Sequence, residues 1–231
     1  MSKDVRTKRV RIAVGGEEET SAILSIPGGK IARTAIIVAH GAGNDMETPL
    51  LAAFSDGLAT AGYPALRFNF LYKERGRKAP DSPAVLEKTW LAAYRFIKES
   101  SGLEVDSVVA AGKSMGGRIA SQMVASGLLP ASRLIFLGYP LHPADNKEKL
   151  RDAHLYKIAV PMLFFAGTRD PLCDLTLLKS VLKKLAHPWD LYTIEGGDHS
   201  FHVPKSLGMR DEAIFAAIVN KTLDWLSQPA G

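Results

Sequence analysis

The sequence predicts an α/β protein, a three-layer sandwich in which helices cover both faces of a mostly parallel sheet. Three observations lead there. Short apolar runs alternate with segments of helical period along most of the 231 residues. The runs Thr34-Ala35-Ile36-Ile37-Val38-Ala39 and Met162-Leu163-Phe164-Phe165 are apolar on both faces, as strands are when helices lie above and below them. The first two runs instead alternate, with Val10, Ile12 and Val14 set against Arg9, Arg11 and Ala13, and Gly15-Gly16 offers a hairpin turn between them. This pattern predicts an antiparallel edge at the N-terminal side of the sheet.

In chain order, strands are expected near 5–14, 20–26, 34–39, 63–69, 107–112, 133–139, 160–166 and 190–194. A helix over 46–60 carries Leu50, Leu51, Phe54 and Leu58 on one face, with Asn44 and Glu47 at the spacing of a capping box. A second over 83–99 starts at Ser82-Pro83 and repeats Leu86, Trp90, Ala93 and Ile97. Further helices are expected near 115–126, 174–186 and 207–227, the last ending before Pro229. With no internal repeat and no linker composition, residues 1–231 are expected to form one domain.

Composition narrows the function classes. Hydrophobic residues make up 46% and charged residues 23%, which excludes a disordered or fibrous chain. No apolar run reaches the roughly 18 residues a membrane span needs. The charged start Met1-Ser2-Lys3-Asp4-Val5-Arg6 lacks a secretory core, so a cytoplasmic address is expected. One cysteine, Cys173, excludes an internal disulfide and reads as a core residue beside Leu172 and Leu175. The net charge of +5 is carried by two clusters, residues 1–11 and 73–78, and the remainder is slightly acidic. Neither cluster is the basic stripe of a nucleic-acid binder; both read as solvated surface, the second with some capacity to attract an anionic substrate.

The chemistry concentrates at strand ends. Gly112-Lys113-Ser114-Met115-Gly116-Gly117 directly follows the apolar run Val108–Ala111 and directly precedes a helix with Ile119, Met123 and Val124. A Gly-x-Ser-x-Gly turn between strand and helix is a nucleophile elbow, whose serine sits on strained backbone and whose glycines admit the neighbouring strand and helix. The partial match of Gly112-Lys113-Ser114 to a phosphate loop fails, because Ser107 stands where that loop needs glycine.

A serine hydroxyl needs a base, and the base needs a group to hold its tautomer. Asp170, in Gly167-Thr168-Arg169-Asp170-Pro171, and His199, in Gly196-Gly197-Asp198-His199-Ser200-Phe201, follow the last two strands in the order acid, then base. The competing assignments are His202 as base and Asp174 or Asp198 as acid. For the negative charge that develops in acyl transfer, the Met115 N–H at a helix start and the Ala42 N–H of Ala39-His40-Gly41-Ala42-Gly43-Asn44 are the expected donors. His40, Gly41, Lys113 and His142 are candidate pocket-lining residues. Lys113 is expected to pair with an acid, or else to bias the pocket toward anionic esters. His199 and His202 lack further ligands at metal spacing, so no metal and no cofactor are expected.

Residues 34 to about 227 resemble the α/β-hydrolase superfamily through His-Gly-Ala-Gly at 40–43, Gly-Lys-Ser-Met-Gly-Gly at 112–117, Gly-Thr-Arg-Asp at 167–170 and Gly-Asp-His at 197–199. Within it the chain is similar to the small lidless dienelactone-hydrolase-like group. With Gly-Tyr-Pro-Leu-His-Pro at 138–143, it is also similar to a branch of predicted hydrolases that includes a testis-expressed protein and a subunit of a chromatin-associated complex. The resemblance implies an eight-stranded sheet. Ser114 replaces the cysteine nucleophile of true dienelactone hydrolases, which leaves the lactone substrate uncarried. Only about twenty residues separate Tyr139 from Val160, too few for a large lid. The resulting expectation is a serine hydrolase acting on ester or thioester bonds of small acyl substrates. The alternative is a non-catalytic interaction module on the same fold, which would have no physical need of all three residues.

Overall fold

In a computed structural model that describes residues 4–228, eight strands form one sheet in the order β1-β2-β4-β3-β5-β6-β7-β8. The strands are β1 (Val5–Gly15), β2 (Glu18–Pro27), β3 (Thr34–Ala39), β4 (Ala65–Phe68), β5 (Ser107–Lys113), β6 (Arg133–Leu137), β7 (Met162–Gly167) and β8 (Trp189–Ile194). β1 and β2 pair antiparallel, β2 meets β4 antiparallel, and all pairings from β4 through β8 are parallel. The expected antiparallel edge is therefore present, with Gly15 and Gly16 at positive φ turning the hairpin. Met1 to Lys3 of the N-terminal basic cluster, and Pro229 beyond the last helix, lie outside the described residues.

The doubly apolar strands are covered on both faces, as their sequences require. Ile36, Val38, Leu163 and Phe165 pack in one buried cluster with Leu50, Phe54 and Leu58 of α1 (Pro49–Thr60) and Ile218 of α6 (Asp211–Leu226). Ile37, Met162 and Phe164 pack in the other. There they meet Leu86 and Trp90 of α3 (Pro83–Arg95), Ile119 and Met123 of α4 (Met115–Ala125), and Leu178 and Leu182 of α5 (Leu175–Leu182). Burying side chains of this size contributes roughly 1.5–3 kcal/mol each, which is what fixes strand register. No described helix is long and apolar enough to cross a membrane.

Several boundaries differ from expectation. The capping box at Asn44 and Glu47 does not form. Thr48 precedes the helix, Pro49 opens it without needing an N–H partner, and Glu47 pairs with Arg9 at 2.5 Å. A short helix α2 (Leu71–Glu74) follows β4, and α3 runs on into a π-turn over Phe96–Ser100. The segment between β6 and β7 holds only a 3₁₀ turn at Leu155–Lys157, so no large lid is inserted. In the basic cluster 73–78, Arg75 pairs with Glu18 and Asp81, and Arg77 with Asp81, which takes two of its four cations out of play.

Candidate active site

The turn between β5 and α4 has the geometry its glycines imply. Ser114 adopts φ +50° and ψ −115°, strained for a residue with a side chain. A Cβ on Gly112 would lie 2.3 Å from the Gly117 nitrogen, and one on Gly116 would lie 2.6 Å from the carbonyl oxygens of Ala39 and His40. Only hydrogen at these two positions lets β5, α4 and the end of β3 close on one another and push the serine out at the sheet's carboxyl edge.

There the serine meets the other two residues. The Ser114 hydroxyl lies 2.8 Å from His199 Nε2, and His199 Nδ1 lies 2.7 Å from Asp170 Oδ2. Because Nδ1–H donates to the carboxylate, Nε2 is free to accept the serine proton. Asp170 is buried, and its Oδ1 accepts from the Leu172 N–H at 2.8 Å, so both carboxylate oxygens are bonded. The loops carrying acid and base are stitched together. Arg169 N–H donates to the Gly197 carbonyl at 2.8 Å, and a Cβ on Gly167 would lie 2.1 Å from that oxygen.

The competing assignments fall elsewhere. His202 is exposed and its Nδ1 lies 2.9 Å from Asp211 Oδ2. Asp174 caps α5, accepting from Thr176 and Leu177, and pairs with Lys147 at 2.7 Å. Asp198 accepts from the N–H groups of Ser200 and His202, shaping the tight turn that presents His199. The same turn forces Phe201 to φ +70° while burying its ring, a strained anchor that carried no mark in the sequence. Cys173 is buried and its thiol is pushed up to about 12, so it is a core residue.

The Ala42 and Met115 amides donate no hydrogen bond among the described residues. Ala42 is aimed from behind. His40 Nδ1 donates to the Gly41 carbonyl at 2.8 Å, Tyr72 O–H donates to the same oxygen at 3.3 Å, and the Phe70 N–H donates to His40 Nε2 at 3.0 Å. Because a trans peptide sets C=O and N–H antiparallel, holding the Gly41 carbonyl inward turns the Ala42 N–H outward. Burial holds His40 down to about 4, so the ring stays neutral in this role.

Two of the pocket expectations, and the acid partner expected for Lys113, are corrected here. His40 is fully buried with both ring nitrogens bonded, so it supports the loop and lines no pocket. His142 is likewise buried, its Nδ1 on the Pro143 carbonyl at 2.8 Å and its Nε2 accepting from the Asp174 N–H at 2.9 Å, leaving no atom for a ligand. Lys113 pairs with no acid: its Nζ is buried without a hydrogen-bond partner. Gly41 does border the nucleophile, since a Cβ there would meet Ser114 Cβ at 3.4 Å. Tyr72 and Thr48 were not foreseen, because neither lies in a motif. No group of three or more metal-ligating side chains occurs among the described residues.

Solved structures share this architecture. A serine hydrolase homologue from Coxiella burnetii superimposes with a TM-score of 0.75 at 18% identity, covering 94% of this chain and 97% of that one. A dienelactone hydrolase from Anabaena variabilis gives 0.71 at 21% identity, covering 94% and 96%. A lidless α/β serine hydrolase from Xanthomonas campestris gives 0.73 at 18% identity, covering 96% of each. At these identities the likeness concerns the fold. Residues 32–227 match the family described as alpha/beta hydrolase domain, and the chain belongs to that family.

Proposed function

We propose that the chain, acting as one domain, is a serine hydrolase that cleaves ester or thioester bonds of small acyl substrates. His199 Nε2 takes the proton as Ser114 Oγ attacks the carbonyl carbon. The oxyanion that forms is held by the N–H groups of Ala42 and Met115, the latter at the positive end of α4. Asp170 keeps the imidazole in the accepting tautomer and stabilises the imidazolium. Collapse of the tetrahedral intermediate expels the alcohol or thiol, which leaves with the proton from His199, and an acyl-serine remains. Water then attacks with His199 again as base, releasing the acid and restoring the hydroxyl.

The observation that carries this reading is the unbroken hydrogen-bonded chain from Asp170 through His199 to Ser114, at 2.7 and 2.8 Å. A fluorophosphonate probe is expected to label wild-type protein once, at Ser114, and to leave Ser114→Ala unlabelled. Hydrolysis of p-nitrophenyl acetate should fall by at least 10³ in that variant. Equal hydrolysis by the two proteins would sink the proposal.

A further inference from the structure

Beside the triad loops, at the start of α1, lies a cavity of about 250 Å³ whose walls include Asn44, Thr48, Leu50, Leu51, Lys113 and His202. Its polar groups are unusual in what they lack. Lys113 ends β5 on the face where Val109 and Ala111 pack toward α1 and α6, so its side chain enters that layer rather than water. Its ammonium is buried with no hydrogen-bond partner; what lies over it is the Phe201 ring, 5.8 Å away. The nearby carboxylates are already committed, Asp170 to His199 and the Leu172 N–H, and Asp198 to the N–H groups of Ser200 and His202. The Thr48 hydroxyl is a second buried group without a partner, and it does not cap α1. The first-turn amides of Leu50 and Leu51 therefore find no capping acceptor, and both residues line the same cavity.

Four donors with no acceptor, one of them a full positive charge, describe the complement of an anion. A buried ammonium without a partner is costly, and a structure that keeps one gains when a ligand supplies the missing charge. The ammonium itself lies beside Gly138, where a Cβ would meet Nζ at 3.0 Å, and a change of rotamer along the four-carbon stem would carry it into the cavity that Lys113 lines. Asp211 also lines the cavity, paired with His202, and its negative charge disfavours a dianion over a monoanion. The position of the cavity ties it to the reaction. Lys113 precedes Ser114, and Asn44 closes the oxyanion turn by donating to the Gly41 carbonyl at 3.3 Å.

We infer that this cavity is a carboxylate subsite, and that the substrates are esters or thioesters whose acyl part carries a free carboxylate, such as half-esters of dicarboxylic acids. This rests on the hydrolase reading above. The Lys113 ammonium, the Thr48 hydroxyl and the first-turn amides of α1 bind the carboxylate while Ser114 attacks the esterified carbonyl at the other end. The lysine is a specificity residue: it holds the substrate and takes no proton in the reaction.

The test compares kcat/KM for mono-p-nitrophenyl adipate with that for p-nitrophenyl hexanoate, after subtracting the spontaneous rate of each. Wild-type protein is expected to favour the carboxylate ester by at least tenfold, and Lys113→Met to bring the ratio to one or below. Free glutarate should inhibit hydrolysis of the neutral ester competitively and give a calorimetric binding signal that Lys113→Met loses. Hydrolysis of the neutral ester through Ser114, with no carboxylate preference and no glutarate binding, would overturn the subsite and leave the hydrolase standing. Glutarate binding that depends on Lys113, in a protein that hydrolyses neither ester, would keep the subsite and remove the hydrolase. Binding of inorganic phosphate in place of glutarate would overturn the carboxylate assignment.

Discussion

Replacing Lys113 by methionine should make the protein more stable, and the size of the gain follows from the burial of the ammonium. Burial pulls this lysine from its ordinary 10.5 down to about 8, with Asp170 and Asp198 pulling the other way. At 1.36 kcal/mol per pH unit, that gap corresponds to about 3 kcal/mol of penalty for holding the charge in the folded state. Methionine keeps most of the stem and removes the charge. Below pH 8 both folded and unfolded chains hold the proton, and the whole penalty stands. Between pH 8 and 10.5 the unfolded chain retains a proton that the native protein has released, so wild-type stability rises with pH. Urea unfolding at pH 7, 9 and 10.5 reads this directly. The variant is expected to lead by up to about 3 kcal/mol at pH 7, equivalent to roughly 6–12 °C in Tm for a chain of this size, and the lead should shrink toward pH 10.5. A variant no more stable than wild type at pH 7, or a lead that ignores pH, would refute the picture of an uncompensated buried ammonium.

Other substitutions test other parts of the site. Asp170→Asn should lower kcat for p-nitrophenyl acetate by about 10⁴, the size of the effect known for the chymotrypsin triad, because an amide facing Nδ1 selects the tautomer whose Nε2 cannot accept the serine proton. Activity within tenfold of wild type would move the acid role elsewhere. Gly116→Ala places a Cβ 2.6 Å from two backbone oxygens at the end of β3 and should cost at least about 1–3 kcal/mol in urea unfolding, with a matching loss of turnover because the same segment leads into Ala42. Cys173, with its thiol pushed up to about 12, should resist a disulfide reagent at pH 8 in the folded protein and react fully once unfolded. Rapid stoichiometric labelling of the native state would contradict its burial.

The fold was legible because its signals are local and repeated. Strand period, doubly apolar runs such as Ile36–Val38 and Phe164–Phe165, and the glycines around Ser114 all report backbone geometry that any neighbour must respect. The candidate site could be assembled from the same kind of signal: Asp170 and His199 stand at strand ends, where a parallel sheet gathers side chains from distant segments. What could not be read was pairing across the third dimension. Glu47 sits at capping-box spacing yet bonds Arg9 of β1. His40 and His142 look like pocket histidines, and only their burial with both nitrogens bonded shows them as braces. Lys113 was expected to find an acid, but whether a lysine is matched depends on which carboxylates are already spoken for, and that is a property of the assembled site. Tyr72, which holds the Gly41 carbonyl across 31 positions of chain, belongs to no pattern at all.

The stitching of the Asp170 and His199 loops through Gly167, Arg169 and Gly197 has a practical consequence for redesign. The two segments form one clasp, so a chimera that borrows either of them from a relative inherits a mismatched seam at its most crowded point. Grafts should carry both from the same parent. Insertions meant to enlarge the substrate range belong instead in the irregular stretch between residues 143 and 153, which that seam does not cross.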